Sequence, residues 1–427
     1  MIDYKIINMK TIRLLSALML LAVIIWGCKK EDENRPPSKP KLLRPAQDAV
    51  VAPDVIKFVW ERSTDAEGEY VVYNLYLSVD SLAWVEIPDV NPEGTEIVSV
   101  LREYDYFPFE AGRKYYWKIV AESEDDAERI TGMSESDVVS FYTYPTGVAD
   151  LSKVSGDGFV NLTWIDPPGL SKVEITFTPA VNGITQPITV NPGIGKLELQ
   201  GMANSTVYSF YVKAFNGIGL ASKVDTIKAM PLAPTLVHDV EFNIYSTVQI
   251  GNQTWLRENL RATRWQNGNE MKSQSGNKYY RIGSKSDMYG YYYSAPANWE
   301  GNNPCPCGYH VPSNEEMNTL ERFLGIPEAD INSSSDFRGA NENIGKVLKS
   351  TSGWADYNGV SGNGTDIYGF NLLPAGLIYS GAEDNIGVSG SLWTTSGSIV
   401  RHFTNESTGI LIRYGSSGYF SIRCVKN

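Results

Sequence analysis

The feature that most constrains this chain is a series of short runs, rich in β-branched and aromatic residues, that recur between turn signals. In the first third of the chain, such runs occupy residues 55–60, 70–77, 115–121 and 138–144. Turn-forming segments such as Asp65-Ala66-Glu67-Gly68 separate them. Several short strands at this spacing predict an all-β sandwich over residues 40–145.

The same alternation repeats over residues 146–233, with runs at residues 160–164, 173–178, 188–190, 196–199 and 207–214. Both segments resemble fibronectin type III domains. The resemblance implies that Trp60 and one of the aromatic residues at 115–117 lie in the core. Neither segment has a paired-carboxylate or nucleophile signature, so we interpret both as spacers, with prolines at the joints that stiffen the geometry.

The N-terminus has the pattern of a secretory signal peptide over residues 1–27. Basic residues precede an apolar run at residues 14–26, which is too short to cross a bilayer comfortably. Gly27-Cys28 at its end resembles the lipobox of bacterial lipoproteins, which implies that Cys28 is acylated and becomes the first mature residue. An uncleaved anchor, or an ordinary signal peptide with a chance cysteine, is the alternative.

Residues 28–39 are charged and contain prolines, which predicts a flexible, extended tether. The acidic cluster after Cys28 resembles the export signal of lipoproteins displayed on the outer face of the outer membrane. We therefore expect an outer-membrane, lipid-anchored protein at the cell surface, with the periplasmic face as the alternative.

Charge and histidine content exclude several classes of function. The chain has 37 basic and 49 acidic residues, a formal net charge of -12, which argues against nucleic acid as a partner. Its three histidines are scattered along the chain, which disfavours a zinc site or a histidine-based catalytic cluster. We accordingly expect no catalytic residues and no bound metal, apart from the calcium alternative given below.

The remaining cysteines are Cys305, Cys307 and Cys424. An oxidising compartment favours one disulfide with one thiol left over. A bridge between Cys305 and Cys307 would be strained, so we predict a long-range bond from one of them to Cys424.

Residues 236–427 carry motifs of a named family. They include Trp255-Leu256-Arg257-Glu258-Asn259-Leu260 and Cys305-Pro306-Cys307-Gly308-Tyr309-His310, and then segments at 369–376, 392–395 and 421–425. In this order they resemble the Fibrobacter succinogenes major paralogous domain, with Tyr309 where tryptophan is usual and Cys307 as an extra cysteine. The resemblance implies a bond between Cys305 and Cys424.

Two helices are predicted in this segment. Ser313 and Glu316 form a capping box, and Met317, Leu320, Phe323 and Leu324 recur at helical spacing as a buried stripe. A second short helix is predicted at residues 343–348. The helix opening and the C-terminal Arg-Cys strand resemble C-type lectin-like folds. The predicted fold class is therefore multidomain: two all-β fibronectin type III-like sandwiches followed by an α+β C-type lectin-like domain.

Glycan is the ligand that the loop composition of this domain favours, because aromatic faces stack on sugar rings and polar side chains bond hydroxyl groups. The candidate binding residues are Trp299, Trp354, Asp356, Tyr357, Tyr379 and Asp384. A calcium site built from Asp356, Asp366, Glu383 and Asp384 is an alternative, since Ca²⁺ takes oxygen ligands.

The leading hypothesis is a surface lipoprotein that presents a C-terminal binding or adhesion module to extracellular polysaccharide or to a surface protein. A structural component of an extracellular assembly, or an accessory to a transporter, is the second hypothesis. The third is a polysaccharide-active enzyme that uses a carboxylate pair such as Asp356 and Asp384, which would need a separation of about 5 to 9.5 Å.

Overall fold

The structure is a computed structural model that describes residues 34–87, 90, 96–102, 107–273, 276–277, 279–280, 285–296, 299–414 and 418–427. The predicted signal peptide, Cys28 and the start of the tether lie outside these residues. Within them, no helix is both long and apolar enough to cross a membrane.

The first unit is a sandwich of two sheets. Its strands are β1 Lys41–Arg44, β2 Ala49–Val51, β3 Val55–Glu61, β4 Tyr70–Ser78, β5 Val85–Ile87, β6 Glu96–Arg102, β7 Lys114–Glu124, β8 Ile130–Glu135 and β9 Val139–Thr143. One sheet has the order β1-β3-β6 and the other the order β2-β9-β7-β4-β5, with β8 also paired to β7. Trp60, Tyr115 and Trp117 are fully buried between the sheets, which confirms the predicted core.

The second unit has the same plan with seven strands. They are β10 Ala149–Gly156, β11 Phe159–Ile165, β12 Leu170–Thr178, β13 Ile188–Val190, β14 Lys196–Gln200, β15 Tyr208–Asn216 and β16 Asp225–Ala229. A three-stranded sheet β10-β11-β14 faces a four-stranded sheet β13-β12-β15-β16 across a core that contains Trp164 and Phe210. Apolar side chains alternate with polar ones along β12 and β15, as expected for sheets with one buried face.

Both sandwiches contain a tyrosine corner, the tyrosine-to-backbone bond found in immunoglobulin-like sandwiches. Tyr115 Oη accepts a hydrogen bond from Glu110 N at 2.6 Å, and Tyr208 Oη accepts one from Ala203 N at 3.1 Å. In each unit the tyrosine lies at the start of a central strand and the amide lies five residues upstream. This shared feature confirms that the second segment repeats the fold of the first.

The joints between units are held by side-chain contacts. Asn216 Nδ2 of the second sandwich donates to Gly112 O of the first at 3.2 Å. Lys153 Nζ of the second sandwich lies 5.4 Å from the centre of the Phe242 ring in the C-terminal unit. Each sandwich therefore contacts the unit that follows it.

The predicted tether at residues 28–39 is wrong in its second half. Asn34 Nδ2 donates to Glu69 Oε2 at 2.8 Å, and Ser38 N donates to Thr64 O at 2.9 Å. Arg35 forms an ion pair with Glu67. Residues 34–39 therefore pack along the first sandwich, because their polar groups find partners on its surface that composition alone does not reveal.

The C-terminal unit mixes small sheets with short helices. Its strands are β17 Leu236–His238, β18 Ile244–Ile250, β19 Gln253–Leu256, β20 Lys272–Ser273, β21 Gly276–Asn277, β22 Tyr279–Tyr280, β23 Tyr292–Tyr293, β24 Tyr309–His310, β25 Leu377–Tyr379, β26 Ala382–Asp384, β27 Ser389–Trp393, β28 Ile399–Thr404, β29 Leu411–Tyr414, β30 Gly418–Tyr419 and β31 Val425–Lys426. Its helices are α1 Ser286–Tyr289, α2 Asn314–Leu324 and α3 Ile344–Leu348.

Its main sheet, β17-β18-β19-β31-β24, joins the beginning of the unit to its end. Beside it, Cys305 is bonded to Cys424, both cysteines are buried, and Cys307 is an exposed free thiol. The disulfide pairing implied by the family resemblance is thus confirmed. Two further three-stranded sheets have the orders β26-β25-β30 and β27-β28-β29.

Helix α2 begins with the predicted capping box between Ser313 and Glu316, and α3 matches the second predicted helix. The burial of Phe323 that the helical spacing predicts is wrong, because 52% of this residue is exposed. Its ring packs at the surface against Tyr368. Glu321 faces inward instead and is 1% exposed.

Glu321 is buried because two arginines from distant parts of the chain neutralise it. Its carboxylate lies 2.6 Å from Arg338 Nη1 and 2.5 Å from Arg401 Nε. Arg401 also donates to the side-chain oxygens of Asn314 and Asn318 at 2.8 and 2.7 Å. This network fixes α2 against β28 and against the segment that contains Arg338.

We predict that Glu321→Gln lowers the unfolding free energy by about 3 to 5 kcal/mol, because it leaves two buried guanidinium groups without a full counter-charge. Glu315→Gln is the matched control on the same helix. Glu315 pairs with Arg322 but is 67% exposed, so its loss should have a much smaller effect. Urea unfolding of both variants measures the difference, and equal effects would contradict this account.

Candidate functional site

Several of the family motifs converge on one buried arginine. Arg423 Nη2 donates to Asn259 Oδ1 at 2.8 Å, Nη1 donates to the carbonyl oxygens of Leu256 and Phe370, and the guanidinium stacks 4.7 Å from the Phe370 ring. Complete burial lowers the pKa of Arg423 to about 10, which leaves it charged at neutral pH. The motif residues around Arg423 thus form part of the buried scaffold of the domain.

Two of the predicted binding residues, Trp354 and Trp299, are buried, so the prediction that they are exposed to a ligand is wrong. Trp354 is 3% exposed, and its indole Nε1 donates to Ser350 Oγ at 3.1 Å. Trp299 is also 3% exposed, donates to Ser294 Oγ at 3.1 Å, and packs against Trp265. Each indole finds an internal acceptor, so a tryptophan in a glycine- and asparagine-rich loop is here part of the core.

The other four predicted residues, Asp356, Tyr357, Tyr379 and Asp384, are exposed. Tyr357 and Tyr379 keep 45% and 54% of their surface exposed. Their role in binding stays a prediction.

Two of the proposed calcium ligands have other partners. Asp366 accepts a hydrogen bond from Asn371 N at 2.6 Å, and Glu383 lies 3.7 Å from Lys285 Nζ. Within the described residues, no three Asp, Glu, His or Cys side chains are grouped as metal ligands would be.

A cleft of about 270 Å³ lies over the sheet β27-β28-β29, and we call it the strand cleft. Its lining combines apolar side chains with hydroxyl, amide, imidazole and charged groups: Leu377, Asn385, Val388, Ser389, Val400, His402, Thr404, Glu406, Arg413, Tyr414 and Phe420. Small-molecule sites typically have this mixture of apolar wall and few polar groups.

The two-residue period of β28 builds the cleft. Arg401 and Phe403 point to the inside, towards Glu321 and the core, whereas Val400, His402 and Thr404 line the cleft. The register places Ser391 opposite His402 and Arg413 opposite Val400, so paired residues face the same side.

His402 is held as a neutral group at the centre of this face. Its Nδ1 lies 2.9 Å from Ser391 Oγ, and its Nε2 lies 3.3 Å from Arg413 Nη1. A guanidinium can only donate, so Nε2 accepts and Nδ1 carries the proton that it donates to Ser391. Burial, assisted by the charge of Arg413, lowers the pKa of His402 to about 4. In this tautomer the imidazole cannot accept a proton from Ser391.

Two hydroxyl groups that line the cleft have no partner within the described residues. Ser389 Oγ and Thr404 Oγ1 make no hydrogen bond, although their residues are only 3% and 8% exposed. Buried hydroxyls are normally paired, because leaving one unpaired costs about 1 to 3 kcal/mol. Unpaired hydroxyls in a cleft are therefore suited to a polar ligand.

A second depression, of about 640 Å³, adjoins the strand cleft. We call it the acidic groove because its lining includes Asp330, Asp336, Glu342 and Glu406, and Tyr357 also lies on it. Glu406 lines both depressions, so the two are neighbours at this residue.

In the sequence, His402 is recognisable only as an isolated histidine, and no motif marks Ser389, Thr404 or Arg413 as site residues. The available signal was the alternation of Val400-Arg401-His402-Phe403-Thr404, which is typical of a strand with two different faces. Which face of β28 points to the core depends on the contact of Arg401 with Glu321, which lies about 80 residues earlier in the chain.

One protein family matches the C-terminal part of the chain. Residues 248–426 match the family model of the Fibrobacter succinogenes major domain, and the C-terminal unit is a member of that family. No curated protein matches the chain.

Solved structures with similarity to the chain contain fibronectin type III domains. A two-domain fibronectin type III segment of chicken tenascin is 16% identical, covers 46% of this chain and 99% of its own, and has a TM-score of 0.28. The chicken CNTN1 FN1–FN3 domains are 16% identical over 47% of this chain and 69% of their own, with a TM-score of 0.25. These values are too low to bear on function; the strand order and the tyrosine corners are the basis for describing the two sandwiches as fibronectin type III-like.

We predict that His402 makes the protein less stable in acid. Its pKa is about 4 when folded and 6.5 when unfolded, so the unfolded chain binds the extra proton between these values. Stability is fully present above about pH 6.5 and falls towards pH 4, by at most about 3 kcal/mol from this residue.

The measurement is urea unfolding at pH 7 and pH 4.5 for the wild type and for His402→Gln. The variant should lose less stability between these two pH values, because the carboxylates that titrate are common to both proteins. An identical pH dependence would contradict the burial of a neutral imidazole.

Proposed function

We propose that this protein is a lipid-anchored surface protein whose C-terminal unit binds extracellular glycan. The observation that carries the proposal is the strand cleft, with unpaired hydroxyls at Ser389 and Thr404 and a neutral His402, next to the acidic groove. Sugars present many hydroxyl groups that both donate and accept hydrogen bonds. Hydroxyl, amide and carboxylate side chains at the edge of an apolar wall complement them.

Aromatic side chains at the two depressions support the same function. Tyr414 lines the strand cleft and is 71% exposed, and Tyr357 lines the acidic groove and is 45% exposed. Exposed tyrosines offer a flat apolar face with a polar tip, which suits stacking on a sugar ring. A C-type lectin-like arrangement of the unit agrees with a main sheet that joins both ends and with a separate small sheet that bears the cleft.

Binding rather than catalysis is the role that we propose. The tautomer of His402 gives Ser391 no base, which argues against an activated serine in the cleft.

The proposed anchor at Cys28 would keep the first sandwich close to the membrane. Residues 34–39 pack on that sandwich, so five residues, 29–33, separate it from Cys28, and a chain of this length spans at most about 20 Å. Two sandwiches in series then hold the C-terminal unit away from the outer membrane, at the cell surface.

We predict that residues 34–427, which contain all the hydrophobic cores described above, bind specific glycans on an array. Tyr414→Ala and Tyr357→Ala should each weaken binding about tenfold, or ~1.4 kcal/mol. Tyr211→Ala is the matched control, because Tyr211 is an exposed strand tyrosine on the second sandwich. A blank array with folded protein would reject glycan binding and favour a protein partner or a structural role.

A further inference from the structure

The strand cleft is lined by one cation, Arg413, and one carboxylate, Glu406, and the two side chains do not form an ion pair with each other. Arg413 lies on the cleft, and within the described residues its guanidinium has no carboxylate within ion-pair distance. Its contact is with the neutral His402, at 3.3 Å from Nη1 to Nε2. This hydrogen bond orients the guanidinium, and its other N–H groups can still donate to a ligand.

The acidic groove has the opposite character. Asp330, Asp336 and Glu342 line this groove alone, and Glu406 lies between it and the strand cleft. A ligand that spans both depressions therefore meets a cation beside unpaired hydroxyls at one end and several carboxylates at the other.

We infer that the strand cleft selects a carboxylate-bearing sugar through Arg413, and that the neighbouring sugar, in the acidic groove, is uncharged. The inference rests on the proposed glycan-binding function and specifies its ligand class. Guanidinium and carboxylate match in geometry, because two parallel N–H groups can bond both oxygens. The hydroxyls of Ser389 and Thr404 then bond the ring hydroxyls of the same sugar.

We expect the sugar in the acidic groove to be uncharged because the carboxylates there would repel a charged one. Carboxylates of the groove accept hydrogen bonds from sugar hydroxyls or amides but repel a second carboxylate. A polymer that alternates uronic acid with an uncharged sugar satisfies both depressions, and a polymer of uronic acid alone does not.

The experiment compares four polymers on residues 34–427 at fixed ionic strength: hyaluronan, whose uronic acid alternates with an N-acetylated sugar, carboxyl-reduced hyaluronan, polygalacturonate and dextran. Hyaluronan should bind at least about tenfold more tightly than the other three. Arg413→Gln should abolish the difference between hyaluronan and its carboxyl-reduced form. Arg413→Lys keeps the positive charge but loses the two parallel N–H donors, so it should retain only part of this difference in affinity.

Arg264→Gln is the matched control, because Arg264 is an exposed arginine of the same unit that pairs with Glu270 away from the cleft. It should leave all four affinities unchanged. Glycan binding without a preference for the carboxylate, or unaffected by Arg413→Gln, would overturn this inference and leave the proposed function intact. Failure of every polymer, together with a blank glycan array, would overturn both.

Discussion

The buried contact between Glu321 and Arg401 determines which face of β28 is available to solvent. A carboxylate and a guanidinium that are each almost fully buried cannot separate without large desolvation penalties, so α2 and β28 are held in one relation. Once Arg401 points inward, the pleat of the strand sends His402 outward to the cleft. The position of the candidate site is therefore a consequence of core electrostatics.

Arg423 has a similar role on the other side of the unit. It is bonded by oxygens from two motifs that are far apart in sequence, and it lies next to Cys424 of the disulfide. The residues that identify the family are thus mainly those that assemble its scaffold. A family match predicts this scaffold, whereas the strand cleft and the acidic groove depend on residues outside the quoted motifs, such as Thr404 and Arg413.

The sequence predicted features that local patterns encode. The alternating strands of both sandwiches, the capping box at Ser313 and the short helix α3 were all readable from residues close together in the chain. The family resemblance added the pairing of Cys305 with Cys424.

The predictions that are wrong concern residues whose contact partners are distant in sequence. Trp354 and Trp299 lie in polar loops, but their indole N–H groups donate to buried acceptors. Helix α2 buries Glu321 instead of Phe323, because two arginines that are distant in sequence stabilise the buried carboxylate. Residues 34–39 bind the first sandwich through side chains that lie about 30 residues further along the chain. Composition and periodicity contain no information on such contacts, so the cleft could not be located before the fold was known.

The most direct test of this account is an NMR titration of residues 34–427, labelled with ¹⁵N at histidine, with the glycan that binds most tightly. The three histidines report on different places: His238 on the joint with the second sandwich, His310 on the start of α2, and His402 on the strand cleft. Before glycan is added, the His402 signals should be those of a neutral imidazole protonated at Nδ1. On addition of glycan, only the imidazole signals of His402 should shift. Shifts at His238 or His310 instead, or no shift at saturating glycan, would contradict it.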